Sequence, residues 1–473
     1  MTTTALGALS AHELLAGYKA RAFSPVDVAR AVLARIEHWE PHIAATWLPR
    51  PDAALAQARA AEARWARGEP CGALDGVPIT IKENIATIGD PVPLGTQAMT
   101  LAPAAADAPA AARVREAGAV LVAKTTMPDL GMLSSGLSSF HATSRNPWDV
   151  SRTPGGGGAG TAAAAGYGPL HIGTDIGGSI RLSAAWCGTV GLKPSLGRVP
   201  IDQPSLGRAA GPMTRNVADA ALLMQVLSRP DPRDSMALPP QAIDWSLAWR
   251  ADKPLRGVRV GLLLDAGCGL PVEPAIRVAV EHAAHLFEAQ GAIVTPMQPF
   301  MTRELLSGID HFWRMRLLLD LDALAPAARD SVLPAISAWA ESARGLSGAD
   351  VFRAYGATHA TRMATHLAMQ PFDYVLSPVS PNAPAPFDWP SPTNDPLRGL
   401  EHIGFTVPFN MGEQPAISVN CGYMDSPSTP GAALPIGLQI AGQRFDDLGV
   451  LQMARAFEQL RGPQRDWPEA VER

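Results

Sequence analysis

The chain is short of charge and of aromatic residues: 18% of its 473 residues are charged and 6% aromatic, with only five tyrosines. Neither sign dominates, since 39 Lys and Arg face 44 Asp and Glu for a net charge of −5. No basic stripe is present, so a direct nucleic-acid partner is not expected. Cysteine is scarce. Cys71, Cys187, Cys268 and Cys421 never approach CxxC spacing, which excludes a disulfide framework and a thiolate zinc site and points to reduced thiols. No apolar run nears the ~20 residues that a membrane span needs. The start, MTTTALGALSAHELL, lacks a basic n-region ahead of a long apolar run, and the expected location is the cytoplasm. What is plentiful is apolar residues (47%), with 43 Gly and 44 Pro in no collagen-like period. That composition excludes disorder and favours a large, loop-rich enzyme over a helical bundle.

Periodicity predicts three opening helices. Ser10 and Glu13 form a capping-box pattern, Ser24-Pro25 starts a helix through about Glu40, and a third covers about Asp52 to Arg67. Short strands then alternate with helices. The strands are Val77–Lys82, Ala119–Lys124, Leu170–Thr174, Val258–Leu264, Ala292–Thr295, Tyr374–Pro378, Ile417–Asn420 and Pro435–Ala441. The helices are Ala108–Ala117, Pro274–Gln290 and Asp447–Leu460. Such alternation indicates an α/β fold with a parallel or mixed sheet. Residues 228–256 read as a surface connection, and 300–370 as mostly helical.

The chemistry concentrates in residues 153–181, TPGGGGAGTAAAAGYGPLHIGTDIGGSIR. Gly155, Gly157 and Gly160 fit G-x-G-x-x-G, with Asp175 twenty residues on, but the preceding NPWDVSRTP is a poor strand for a dinucleotide fingerprint. A P-loop fails for want of a lysine after Gly160. Close helix–sheet packing accounts for Thr161–Gly166. It does not account for Gly177-Gly178-Ser179 at the exit of a predicted strand. There the glycines permit positive φ and free successive N–H groups for an oxyanion, Ser179 suits a nucleophile, and Asp175 and Arg181 are placed to pair. Other candidates are bland. His282 and His285 lack a carboxylate to complete a zinc motif, His171 reads as structural, and Cys187 reads as buried. Arg181 breaks any G-x-S-x-G elbow.

The segment Gly173–Pro200 (GTDIGGSIRLSAAWCGTVGLKPSLGRVP) resembles the amidase signature family of serine hydrolases. So do Gly76–Ile85, Ala123–Met132, Gly211–Met224, Phe405–Gly422 and Leu434–Asp447, in order along nearly the whole chain. The resemblance implies one α/β domain over 1–473, with a large mixed, twisted sheet between helical layers. Within it, N-terminal helices would occupy 1–70, the signature core 71–227, a helical cover 300–372 and the rest of the core 373–473. It implies hydrolysis of a carboxylic amide through an acyl-enzyme on Ser179, with esters and carbamates open to the same chemistry. No cofactor or metal is implied, and the partners would be a small-molecule amide and at most a second copy of the chain. Lys82 matches the family's catalytic lysine, neutral in that role. By the same resemblance the N–H groups of Ile176, Gly177, Gly178 and Ser179 form the oxyanion hole. Thr174, Asp175 and Arg181 support the loop, and Met132, Ser134 and Ser135 line the acyl pocket.

One departure stands out. The family's Ser–cis-Ser–Lys relay uses a serine within Gly-Gly-Ser-Ser-Gly-Gly, where this chain has Gly155-Gly156-Gly157-Gly158-Ala159-Gly160. Anchored on Thr153-Pro154, the relay position falls at Gly157; anchored on Gly166 and Ser179, it falls at Gly155. Neither carries a hydroxyl, which leaves a water, Thr153 or Thr161 for the role. If the family geometry holds, the Gly156–Gly157 peptide is cis and a serine at 157 completes the path. Two further readings follow from the same features. One is the amidase component of a tRNA-dependent amidotransferase. The other is an amidase-fold binding protein that has lost its activity.

Overall fold

In a computed structural model that describes residues 6–247 and 255–470, eleven strands form one sheet. They are β1 (Thr46–Trp47), β2 (Pro78–Lys82), β3 (Val120–Thr125), β4 (Leu170–Asp175), β5 (Val190–Lys193), β6 (Ala209–Thr214), β7 (Arg259–Leu262), β8 (Ile293–Pro296), β9 (Tyr374–Pro378), β10 (Ala416–Asp425) and β11 (Ala433–Gly442). The spatial order is β1-β3-β2-β4-β6-β5-β10-β11-β9-β7-β8. Pairing is parallel for β2 with β3 and β4, and for β7 with β8 and β9; the other neighbours are antiparallel. Every residue of β2, β4, β5, β6 and β9 is buried. Strands covered on both faces read as continuous apolar runs, which is why VPITIK is legible as a strand.

Helices flank the sheet. The capping box at Ser10 is present, with Glu13 reaching back to the Ser10 N–H at 2.8 Å. Ser24 caps the next helix with Asp27, and that helix runs on to Ile43, past Pro41. Phe287 of the helix Pro274–Ala289 stacks on Phe457 of the helix Asp447–Leu460, centroids 5.6 Å apart, joining two helices that cover β9 to β11. Residues 303–369 carry the helices Arg303–Asp322, Pro326–Arg329, Pro334–Glu341 and Gly348–Met369. The 228–256 connection is irregular as far as 247, and its residues 248–254 lie outside the described residues. Among the described residues no helix is long and apolar enough to cross a membrane.

β1, β5 and β6 were not anticipated. β6 holds Gly211 and Pro212 in mid-sheet, where Pro212 pairs with Ile172. Proline and glycine inside a short run argue against a strand, and only the neighbouring strands impose one here.

Candidate active site

Three adjacent strands deliver the site. Lys82 ends β2 and pairs in parallel register with Thr125 at the end of β3, while β4 ends at Asp175 on the other side of β2. Lys82 is buried, and its Nζ donates to the carbonyl of Gly156 at 2.9 Å. Burial pulls its pKa down to about 8, against the pull of Glu83 and Asp175 toward the charged form.

From β4 the chain makes the turn Ile176-Gly177-Gly178 and enters the helix Ser179–Cys187 with Ser179 as its first residue. The Asp175 carboxylate organises this turn. It accepts the N–H groups of Gly178 (2.8 Å) and Ile180 (3.2 Å), and takes both Nε and Nη2 of Arg181 at 3.0 Å. The Arg181 guanidinium is fully buried and also donates to Thr406 O, to Gln439 Oε1 and to Asn410 Oδ1. Burial alone would raise the Asp175 carboxyl; the Arg181 charge and the hydrogen bonds from Arg181 and Asn410 outweigh it and hold it below the usual carboxylate range. Thr406 Oγ1 donates to Gly177 O at 2.6 Å. Gly178 has φ +133°, and a Cβ there would lie 2.7 Å from Thr406 Oγ1, so glycine is required.

This geometry corrects one expectation. The Gly178 N–H is committed to Asp175, so it is not a free oxyanion donor. Ile176, Gly177 and Ser179 remain as candidates.

A cleft of about 390 Å³ brings together Lys82, Thr174, Asp175, Ile176, Ser179 and Met132. Met132 and Ser134 also flank Ser179 in a side pocket of about 40 Å³, where Gly177 joins them. Ser135 does not. It is buried, and its hydroxyl accepts the N–H of Leu137 within its own loop.

The glycine loop departs further from expectation. Among the described residues no peptide bond is cis, so the Gly156–Gly157 peptide is trans. Gly157 has φ +112°, and a Cβ there would lie 2.5 Å from Thr126 O and 3.0 Å from Met127 Cα, against the backbone after β3. A Cβ on Gly155 would strike Trp186 at 2.6 Å. The position whose Cβ faces Ser179 is Gly156, 3.0 Å from Ser179 Cβ. Neither threonine stands in. Thr153 Oγ1 accepts the Gly155 N–H, and Thr161 lies beside the Cys187 thiol. Gly157→Ser is therefore expected to give no gain in hydrolysis and to lose about 1–3 kcal/mol of stability from strain at that φ. Denaturant melts and rates on one activated amide check this; a rate gain would show that the loop can swing the new hydroxyl round.

The remaining candidates fall outside the cleft. His171 is buried between Thr80 and Gly168. Its Nε2–H donates to the Gly168 carbonyl, so Nδ1 accepts the Thr80 hydroxyl, and burial pulls its pKa down to about 3. Cys187 is buried and its thiol is pushed up to about 12. His282 and His285 lie on the flank of their helix, the exposed His285 against Glu288.

Sequence reasoning missed Thr125, whose buried hydroxyl has no partner among the described residues, and the buried pair Glu83–His141 (2.6 Å) next to Lys82. It also missed Asn410 and Gln439. Both lie in segments that carry the resemblance, yet nothing in one sequence says that residues 235 positions apart meet at Asp175.

Comparisons agree with the architecture. A family model described as Amidase matches residues 27–451. The A-type component of the glutamyl-tRNA(Gln) amidotransferase of Myxococcus xanthus (strain DK1622) is 34% identical over 483 aligned positions, covering 94% of this chain and 96% of the relative. Its counterpart in Alkaliphilus metalliredigens (strain QYMF) is 31% identical, covering 96% and 97%. Among solved structures, a bacterial aryl acylamidase of the amidase signature family superposes with TM-score 0.84 at 27% identity, covering 96% of each chain. Native peptide amidase from Stenotrophomonas maltophilia gives 0.81 at 25%, covering 98% of each. With its eleven-stranded mixed sheet and a family match over most of its length, the chain belongs to the amidase signature family.

Proposed function

We propose that the chain hydrolyses carboxylic amides, with Ser179 as nucleophile and Lys82 as base. The observation that carries this is the placement of a buried lysine with a depressed pKa and a helix-starting serine on the wall of one cleft. Ser179 Oγ attacks the amide carbonyl carbon as its proton passes toward neutral Lys82. The developing oxyanion is met by the N–H groups of Ile176, Gly177 and Ser179. The C–N bond breaks and the amine leaves with a proton. Water then cleaves the acyl-enzyme and Ser179 recovers its hydrogen. Ester and carbamate cleavage need the same steps. The test is a fluorophosphonate probe followed by peptide mass spectrometry. An adduct on the Ser179 peptide is expected, and an adduct elsewhere removes the assignment.

A second reading is the amidase component of a tRNA-dependent amidotransferase, in which the same acyl chemistry releases ammonia and partner proteins are needed. The 31–34% identity to amidotransferase components over almost the full length favours it over a free-standing amidase. The two separate on one measurement, whether the purified chain alone turns over amides.

A further inference from the structure

The cleft that holds Lys82 also carries two guanidiniums that no carboxylate pairs. Arg208 directly precedes β6, and Arg316 lies on the helix Arg303–Asp322; both line the cleft with Ser179. The Arg208 side chain makes no hydrogen bond or ion pair among the described residues. Arg316 reaches only the sulfur of Met132, at 3.6 Å. Asp320 lines the cleft as well and favours the Arg316 charge, but from outside ion-pair distance, and burial still draws Arg316 below its ordinary pKa. Other buried arginines of this protein have partners: Arg152, which forms no ion pair among the described residues, donates to Pro384 O and Ser428 Oγ, and three more are matched by carboxylates. Arg181 is matched by Asp175, Arg198 by Asp447, and Arg314, two residues before Arg316, by Asp310 and Ser342. Burial, with the like charge of Arg316 added, draws Arg208 below its ordinary pKa too.

Two like charges, largely withdrawn from water and left without paired counter-charges, are costly unless an anion joins them. The other acidic group lining the cleft, Asp175, is already saturated by Arg181 and Asn410. A planar, forked guanidinium suits a carboxylate bound through two parallel N–H···O bonds. Arg208 also lines an adjoining cavity of about 310 Å³, which shares Asn84, Thr174 and Gln203 with the cleft and gives room for a substrate to extend past the arginine.

We infer that Arg208 and Arg316 form a carboxylate-binding subsite, and that the substrate is an amide bearing a carboxylate away from its scissile bond. This rests on the proposed amide hydrolysis at Ser179 and names its substrate class.

The probes are succinic acid mono-4-nitroanilide and its methyl ester, which share one scissile amide and differ by one negative charge. Release of 4-nitroaniline reads amide cleavage alone. Wild type is expected to prefer the acid by about 10- to 100-fold in kcat/KM, through KM. Arg208→Met and Arg316→Met are each expected to bring the acid-to-ester ratio of kcat/KM close to one, and the ratio is the readout because loss of the Arg208 charge, which helps to hold Lys82 down, shifts the rate on both probes alike. Arg208→Lys, which keeps the charge but not the fork, falls between. Equal rates on acid and ester in wild type, or equal losses on both in the variants, overturn the inference. Calorimetry with succinamate on folded protein is independent of turnover. Binding that is lost in Arg208→Met supports the subsite even if Ser179 proves unreactive, and no binding to wild type overturns it.

Discussion

Replacing Ser179 with alanine is expected to lower amide hydrolysis by about 10⁴–10⁶-fold, the scale seen when a member of a serine hydrolase's catalytic unit is removed, and to abolish labelling by a fluorophosphonate. The fold should survive. Ser179 is half-buried and makes no hydrogen bond to the groups that fix its turn; those bonds run between Asp175, Arg181, Asn410 and Thr406. The measurement is turnover of an activated anilide beside a thermal melt. Retained turnover with a native melt would remove Ser179 from the chemistry. Lost turnover with an unchanged melt separates catalysis from architecture.

Lys82→Met is expected to cost about 10²–10⁴-fold in kcat/KM, the range for loss of a general base, and its pH behaviour identifies the cause. With the lysine pulled down to about 8, the wild-type kcat/KM should climb with pH and level off above about 8. The variant should lose that limb. Stability should move the other way. A lysine whose folded pKa lies below its unfolded value carries a penalty that is full below pH 8 and gone above its ordinary 10.5, because the folded state binds fewer protons in that window. Methionine fills similar space without charge. The variant should therefore be more stable than wild type at pH 7, by a gain on the order of 3 kcal/mol, and the difference should vanish near pH 10.5. Urea melts at the two pH values read it. A variant that loses activity and stability together would make Lys82 a structural residue.

Much of this was legible beforehand because local physics and tertiary context agree. The capping serines Ser10 and Ser24, the mostly apolar run into β2, and the strand–glycine–serine–helix passage at 173–181 each announce themselves within a few residues. What escaped is set by distance along the chain or by direction in space. β6 looks unlike a strand on its own residues and is one because β4 and β5 lie on either side of it. The Gly178 N–H reads as free from sequence, which cannot show that the Asp175 carboxylate turns back onto it. Counting residues from Thr153-Pro154 led to Gly157, but side-chain direction decides which position faces Ser179, and that is Gly156. The unpaired arginines are invisible in composition, since each of them is one among many.

The buried Asp175–Arg181 pair has a consequence in time as well as in space. Asp175 and Ser179 leave the ribosome early, but the side chains that lock their turn arrive with Thr406, Asn410 and Gln439. Asn410 follows Asp175 by 235 residues, so at about 5–20 residues per second the ribosome needs roughly ten seconds or more to supply it. Until then the arginine has only its aspartate, the carbonyl of Gly177 lacks the Thr406 hydroxyl, and the serine has no fixed bearing toward Lys82. If Ser179 is the nucleophile as proposed, the nascent chain carries it unarmed. On that proposal reactivity is expected only once the last strands dock, and truncation products that end before residue 406 are expected to lack an active serine.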